Sequence, residues 1–275
     1  MRSLSAIILA AGKGTRMNSD LPKVAHRVAG RSMVEWVAEA CAAAGCARIV
    51  VVVGYQQQIV RDVMKGFSSA GARVEFAVQE EQLGTGHAVR CAEGQFERER
   101  RDAGHDVFVL AGDGPLIRVE TLRALLGRHR ERSAAATLAT SVIADPTGYG
   151  RIVRDERGQF RGIVEQKNAT AEQRLIREVN PSYYCFDAQR LFGALERVTR
   201  DSVSGEYYIT DVPALLMAGG ERVEVIDAVP PEDVLSINTP EQLAEVDAIM
   251  RRRGGFHAAG SGSGSGGSRD KGGAR

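Results

Sequence analysis

No stretch of this chain is apolar for the ~18 residues that a membrane-spanning helix needs, and Met1–Ser5 is too short and polar to lead a signal peptide. Charge of one sign is missing too. The 36 Lys and Arg against 35 Asp and Glu leave a net +1, which argues against a general nucleic-acid or membrane-surface binder, whose chain would carry a strong basic excess. The four cysteines (Cys41, Cys46, Cys91, Cys185) form no CxxC pair and sit among apolar residues, as small hydrophobes do. None of the five histidines falls in a metal-ligand spacing. Internal repeats are absent, including the hexapeptide repeats of a left-handed β-helix. What remains is the expectation of a soluble, cytoplasmic α/β protein, since 43% hydrophobic residues suffice for one core.

What is present is organised around residues 6–23, AIILAAGKGTRMNSDLPK. An apolar run too short for a helix stops at a glycine-rich loop that carries Arg16 and Lys23, with Pro22 stiffening the approach. Glycines let a backbone come close to an anion, successive N–H groups line the concavity, and cations neutralise it. Two familiar phosphate loops do not fit. Walker A needs Ser or Thr after its lysine, and Lys13 is followed by Gly14. The dinucleotide fingerprint has Met17 at its last glycine, and the next apolar run, 49–53, ends in Gly54 without a ribose-binding carboxylate. A plain strand-to-helix turn is the alternative, against which Arg16 and Lys23 weigh; for those two, the alternative is solvated loop charge. Lys13 reads as exposed.

Further along, Ser32 caps an apolar-periodic helix from Met33, with Glu35 completing a capping box and Gly45 closing it. Residues 49–53 and 74–78 read as strands and 56–65 as a helix. A helix over 87–101, a strand over 107–111 and a helix over 119–130 follow. This alternation predicts a doubly wound, mostly parallel α/β sheet of Rossmann-like type, with a crevice at the carboxyl ends of its strands. There the Gly12 loop, the segment after Val78 and the Asp113 turn would converge. Residues 135–142, 150–153, 159–165 and 178–186 read as strands joined by turns, hence a smaller mixed-strand lobe laid over the first half as a place for a sugar. Thr239-Pro240-Glu241-Gln242 starts a last helix, running to about Arg253. One domain, 1–253, is thus followed by a flexible Gly/Ser-rich tail, 254–275.

The opening loop, LAAGKGTRMNSDLPKVAH, resembles the signature of sugar-1-phosphate nucleotidyltransferases, and QEEQLGTGHAV, LAGDGPLI, DPTGYGRIVR, GIVEQKNAT and GEYYITD follow in order over about the first 240 residues. The chain is most similar to the uridyltransferase domains of the bacterial N-acetylglucosamine-1-phosphate enzymes. The resemblance implies a Mg2+-dependent enzyme joining UTP and N-acetylglucosamine 1-phosphate into UDP-N-acetylglucosamine and pyrophosphate, for cell-wall precursors. Any acetyl transfer would then fall to another protein. Arg16 suits the β- and γ-phosphates, where its fork binds bidentately, and Lys23 the α-phosphate and the attacking sugar phosphate. Asp113, after a strand and between Gly112 and Gly114, is a candidate magnesium ligand, with a turn carboxylate as the alternative.

By resemblance, Asn238 is the second metal ligand. Leu9, Ala10, Ala11 and Gly12 contact the nucleoside, and Gln79 with the Gly84-Thr85 backbone reads uracil. Gly150, Glu165 and Asn180 hold the sugar, while Tyr207 and Tyr208 read as core or wall. Two departures from the pattern bear on the sugar: Asn180-Pro181-Ser182 stands where relatives carry Asn-Thr-Gly, and Ala111 where a tyrosine is common. The rival readings are another sugar phosphate (glucose or muramic acid type), a sensor that binds a nucleotide sugar without turnover, and, remotely, a nicotinamide oxidoreductase. Oligomeric state is not written in the sequence.

Overall fold

A computed structural model describes residues 2–101 and 104–254. The tail expected at 254–275 lies, past Gly254, outside the described residues. The first strand, β1 (Ser3–Ala10), ends where glycines begin. A small hairpin, β2 (Arg27–Val28) and β3 (Arg31–Ser32), leads into α1 (Met33–Ala43). The capping box at the head of α1 forms as expected: the Ser32 side chain accepts from the Glu35 N–H while Glu35 takes the Ser32 N–H. Then come β4 (Arg48–Val53), α2 (Gln57–Met64), β5 (Arg73–Val78), α3 (Thr85–Cys91), β6 (His105–Ala111) and α4 (Val119–Glu131).

The helix expected over 87–101 is not one helix. α3 starts two residues earlier, at Thr85, and ends at Cys91, after which the chain tightens into a 3-10 turn, Glu93–Phe96. Phe96 is the reason. It is fully buried between the Arg48 guanidinium, 4.5 Å from its centroid, and the Phe192 ring at 5.4 Å. The charges beyond it are satisfied without a helix, Arg100 by Glu93 and Glu99 by Arg48.

The second half contributes β7 (Ala136–Val142), β8 (Gly150–Arg154), β9 (Phe160–Val164), the one-turn α5 (Ala171–Arg174) and β10 (Glu178–Asp187). It closes with α6 (Ala188–Leu195), α7 (Val212–Ala218), β11 (Val223–Asp227) and α8 (Pro240–Arg252). The strand segments were read correctly, but the lobe is smaller than expected. β7 and β10 extend the principal sheet, whose order is β11-β7-β10-β6-β1-β4-β5; only the β8–β9 hairpin branches off, from the start of β10. β10 alone runs antiparallel to its neighbours in that row. Helices α6 and α7 and the edge strand β11 were not foreseen.

Two apolar layers cover the sheet. Ile8, Val51 and Leu110 face α1, α2 and α4, while Ile7, Val50 and Val109 face α3, α6 and α7. A third cluster joins Met17 of the opening loop to Trp36, Leu116 and Ile237. Met17, the residue that spoils the dinucleotide fingerprint, is thus the buried anchor of the loop. β1 lies between β4 and β6, with the chain going outward to β5 before returning, so the strand order reverses between β1 and β6. A crevice opens at such a switch point.

Candidate active site

The Gly12 loop leaves β1 and the Asp113 turn leaves β6, so both deliver their side chains to the switch point. Gly14 has a left-handed backbone, φ 68°, and a Cβ there would come within 2.6 Å of the Lys23 Cβ. The glycine therefore lets the Lys23 stem lie across the loop. At its tip the Lys23 ammonium donates to Asp113 Oδ2 and, over 2.7 Å, to Asn238 Oδ1. Arg16 donates to the same amide oxygen over 2.8 Å from the exposed rim. Four residues from three distant segments thus meet at one point. Asn238 is held there from both sides: the Ile237 N–H donates to the Asp113 carbonyl over 3.2 Å, and the Asn238 N–H to Gln242 Oε1 of α8 over 2.7 Å.

The glycines flanking Asp113 serve the protein rather than a ligand. A Cβ at Gly112 would sit 2.8 Å from the Leu9 carbonyl oxygen, and one at Gly114 would sit 3.1 Å from the Tyr183 hydroxyl. Lys13 is exposed and lies 5.2 Å from the Tyr55 ring centroid, away from the crevice.

Two adjoining chambers flank Asp113. The first, about 460 Å³, is lined by the residues expected to take the nucleotide: Leu9 to Gly12, Gln79, Gly84 and Thr85. The second, about 320 Å³, holds Gly150 and Asn180, with Arg16 and Asn238 at its side. Asp113 and Glu165 border both. Every sequence-predicted site residue therefore reaches the crevice.

Several of them already have partners inside the protein. Gln79 spends both amide hydrogens inside the protein, on the Gly84 carbonyl and on His87, each 3.0 Å away, so it faces the chamber as an acceptor only. The Thr85 hydroxyl accepts from the Ile209 N–H over 3.1 Å. Asn180 gives one hydrogen to the Tyr184 hydroxyl over 2.6 Å, and its oxygen accepts from the Ser182 N–H, leaving one N–H without a partner among the described residues. Glu165 accepts from Thr210 over 2.9 Å; burial pushes its carboxyl above the usual range, and that hydroxyl partly offsets it.

Pro181 and Ser182 lie in an irregularity of β10 between Val179 and Tyr183, where ladder pairing lapses and a missing N–H costs nothing. Ser182 has φ 65°, a backbone that a glycine would adopt freely. The sequence reading also left out Tyr208, Ile209 and Thr210, which line the first chamber beside Glu206. The close junction at Gly84, where a Cβ would meet the Tyr207 carbonyl oxygen at 2.6 Å, brings that segment in.

Comparison with known proteins bears on the family of the chain. The model of the MobA-like NTP transferase domain matches residues 6–204. Curated relatives named "Bifunctional protein GlmU" include those of Brevibacillus brevis, 45% identical over 92% of this chain and 53% of theirs, and Pelotomaculum thermopropionicum, 47% identical over 91% of this chain and 52% of theirs. Geobacter metallireducens contributes another, 45% identical over 92% of this chain and 52% of its own. The chain thus spans about half the length of the curated relatives it matches. With a crevice at the switch point, cations on its opening loop and this breadth of similarity, the chain belongs to the MobA-like NTP transferase domain family, as a nucleotidyltransferase related to the uridyltransferase part of GlmU.

Proposed function

We propose that the chain transfers uridylyl from UTP to N-acetylglucosamine 1-phosphate, releasing pyrophosphate, in a cytoplasmic setting. An oxygen of the sugar phosphate attacks the α-phosphorus in line, and the bond from that phosphorus to the β-phosphate oxygen breaks. The electron pair leaves with pyrophosphate. No general base is needed, because the attacking phosphate is already ionised. The protein's task is to gather two anions, so positioning and charge neutralisation supply most of the catalysis. The observation that carries the reading is the meeting of Lys23, Arg16, Asp113 and Asn238 at one point between two chambers.

Magnesium fits that point. Asp113 Oδ2 and Asn238 Oδ1 are hard oxygens close enough to share one ammonium. Among the described residues no group of three or more His, Cys, Asp or Glu could hold a metal alone, which suits an ion that takes its other ligands from phosphates and water. When bound, the ion would neutralise the triphosphate and the charge that develops on it. Lys23 and Arg16 would hold the phosphates, the Leu9–Gly12 backbone and Gly84 the nucleoside, and Glu165 with Asn180 the sugar hydroxyls and acetamido group.

The test is pyrophosphate release with Mg2+ across a panel of nucleoside triphosphates and sugar 1-phosphates. UTP with N-acetylglucosamine 1-phosphate should turn over fastest; preference for glucose 1-phosphate or a muramic derivative would reassign the sugar. Asp113→Ala separates an enzyme from a sensor: loss of turnover supports the enzyme, whereas a wild type that binds the nucleotide sugar and never turns over sinks it.

A further inference from the structure

From Gln79, on the wall of the first chamber, a chain of polar groups runs back into the protein. Gln79 is 3% exposed, and its Nε2 lies 3.0 Å from the Gly84 carbonyl oxygen and 3.0 Å from His87 Nδ1. An amide nitrogen only donates, and the carbonyl oxygen only accepts, so the amide cannot be turned over without setting oxygen against oxygen. Its second hydrogen therefore goes to Nδ1, which makes the imidazole neutral, with its own proton on Nε2. That N–H faces the Cys91 sulfur, 3.9 Å away and one turn further along α3. The Gly84 anchor is fixed in turn, because its backbone at φ 100° is pressed against residues 206 and 207. No donor among the described residues meets Gln79 Oε1, and this oxygen is not among the buried, unpartnered atoms, so it is open to the chamber.

From this geometry we infer that His87 is a positioning residue for choice of base: by taking the second Gln79 hydrogen it holds Oε1 toward the base as a lone acceptor. A uracil imide offers N–H to that acceptor, whereas cytosine offers a lone pair at the same ring atom. The inference rests on the uridylyl reading above and adds to it a residue that touches no substrate. His87 sits half-buried on α3, so its replacement leaves the cations and the candidate metal ligands in place.

The experiment measures kcat/KM for UTP and for CTP in wild type, His87→Leu and His87→Asn. In His87→Leu the buried amide N–H loses its partner, at a cost comparable to a lost hydrogen bond, so the UTP:CTP ratio should fall by roughly tenfold. His87→Asn puts a side-chain oxygen near the position of Nδ1 and should restore most of the ratio, which a merely structural role would not do. KM for the sugar phosphate should stay within about twofold in both variants, the single removed bond being remote from that chamber. A UTP-selective wild type with an unchanged ratio in a folded His87→Leu overturns this inference alone; a wild type indifferent to base overturns the uridylyl reading as well. If His87→Leu does not fold, the ring 15N shifts of the wild type decide: a proton on Nδ1 overturns the inference, and one on Nε2 supports it.

Discussion

A single ammonium links two of the residues most exposed to test. Lys23 holds a carboxylate and an amide together, and a cation ~4 Å from a phosphate oxygen contributes on the order of 4 kcal/mol before desolvation at an effective dielectric near 20. Lys23→Ala should therefore lower kcat/KM by at least about a hundredfold, with far-UV circular dichroism unchanged. A second prediction concerns backbone strain. Ser182 holds φ 65°, a conformation that costs an L-residue about 1 kcal/mol or more, so Ser182→Gly should raise stability by about 1 kcal/mol in urea titration. At this scale the sequence was informative wherever chemistry and spacing coincided: Arg16, Lys23 and Asp113 follow strands within glycine-rich turns. It read Tyr208 only as core or wall and gave Thr210 no role, because their place depends on a backbone contact at Gly84 that no local pattern encodes.

Among the elements, α8 shows how a cap can serve a site. Thr239 accepts from the Gln242 N–H, and Gln242 returns a side-chain oxygen to the Asn238 N–H, so the helix start fixes the residue beside Lys23. Thr239→Ala should cost about 1 kcal/mol of stability, and it should raise the Mg2+ concentration for half-maximal turnover several-fold. An unchanged Mg2+ titration would detach the cap from the site. Caps were legible because they are local, as Ser32 and Glu35 also show. The break after Cys91 was not, because a distant ring and guanidinium claim Phe96. Which sheet a strand joins was equally hidden: the composition of β10 says nothing of its pairing with β6 and β7.

For the whole molecule, the edge of the sheet opposite the crevice holds the buried Asp106 between Arg2 and Arg130, each 2.7 Å away, with His129 Nε2 at 3.5 Å. Burial pushes the Asp106 carboxyl up, but His129, Arg130 and Arg2 outweigh it and bring it from 3.8 down to about 2. A depressed carboxylate stabilises the fold above its unfolded value and loses that contribution as pH falls toward its folded value. Stability should then drop by on the order of 2 kcal/mol between pH ~4 and ~2 from this group. Asp106→Asn should be less stable at neutral pH and flatter across that window; equal slopes would refute the assignment.

The reversed direction of β10 has a consequence for how such a protein can change. Because it runs against β1 and β6, its beginning rather than its end arrives at the crevice, so the stretch around Asn180 and Ser182 grips from a part of the chain remote from the loops that follow β1, β5 and β6. Both chambers are consequently lined from two directions, by the loops after the parallel strands and by the opening of a strand that comes from the second half of the chain. On the uridylyl reading proposed above, drift at the Pro181-Ser182 pair would reshape the wall that the chambers share while Arg16, Lys23 and Asp113, on loops from other strands, stay in place.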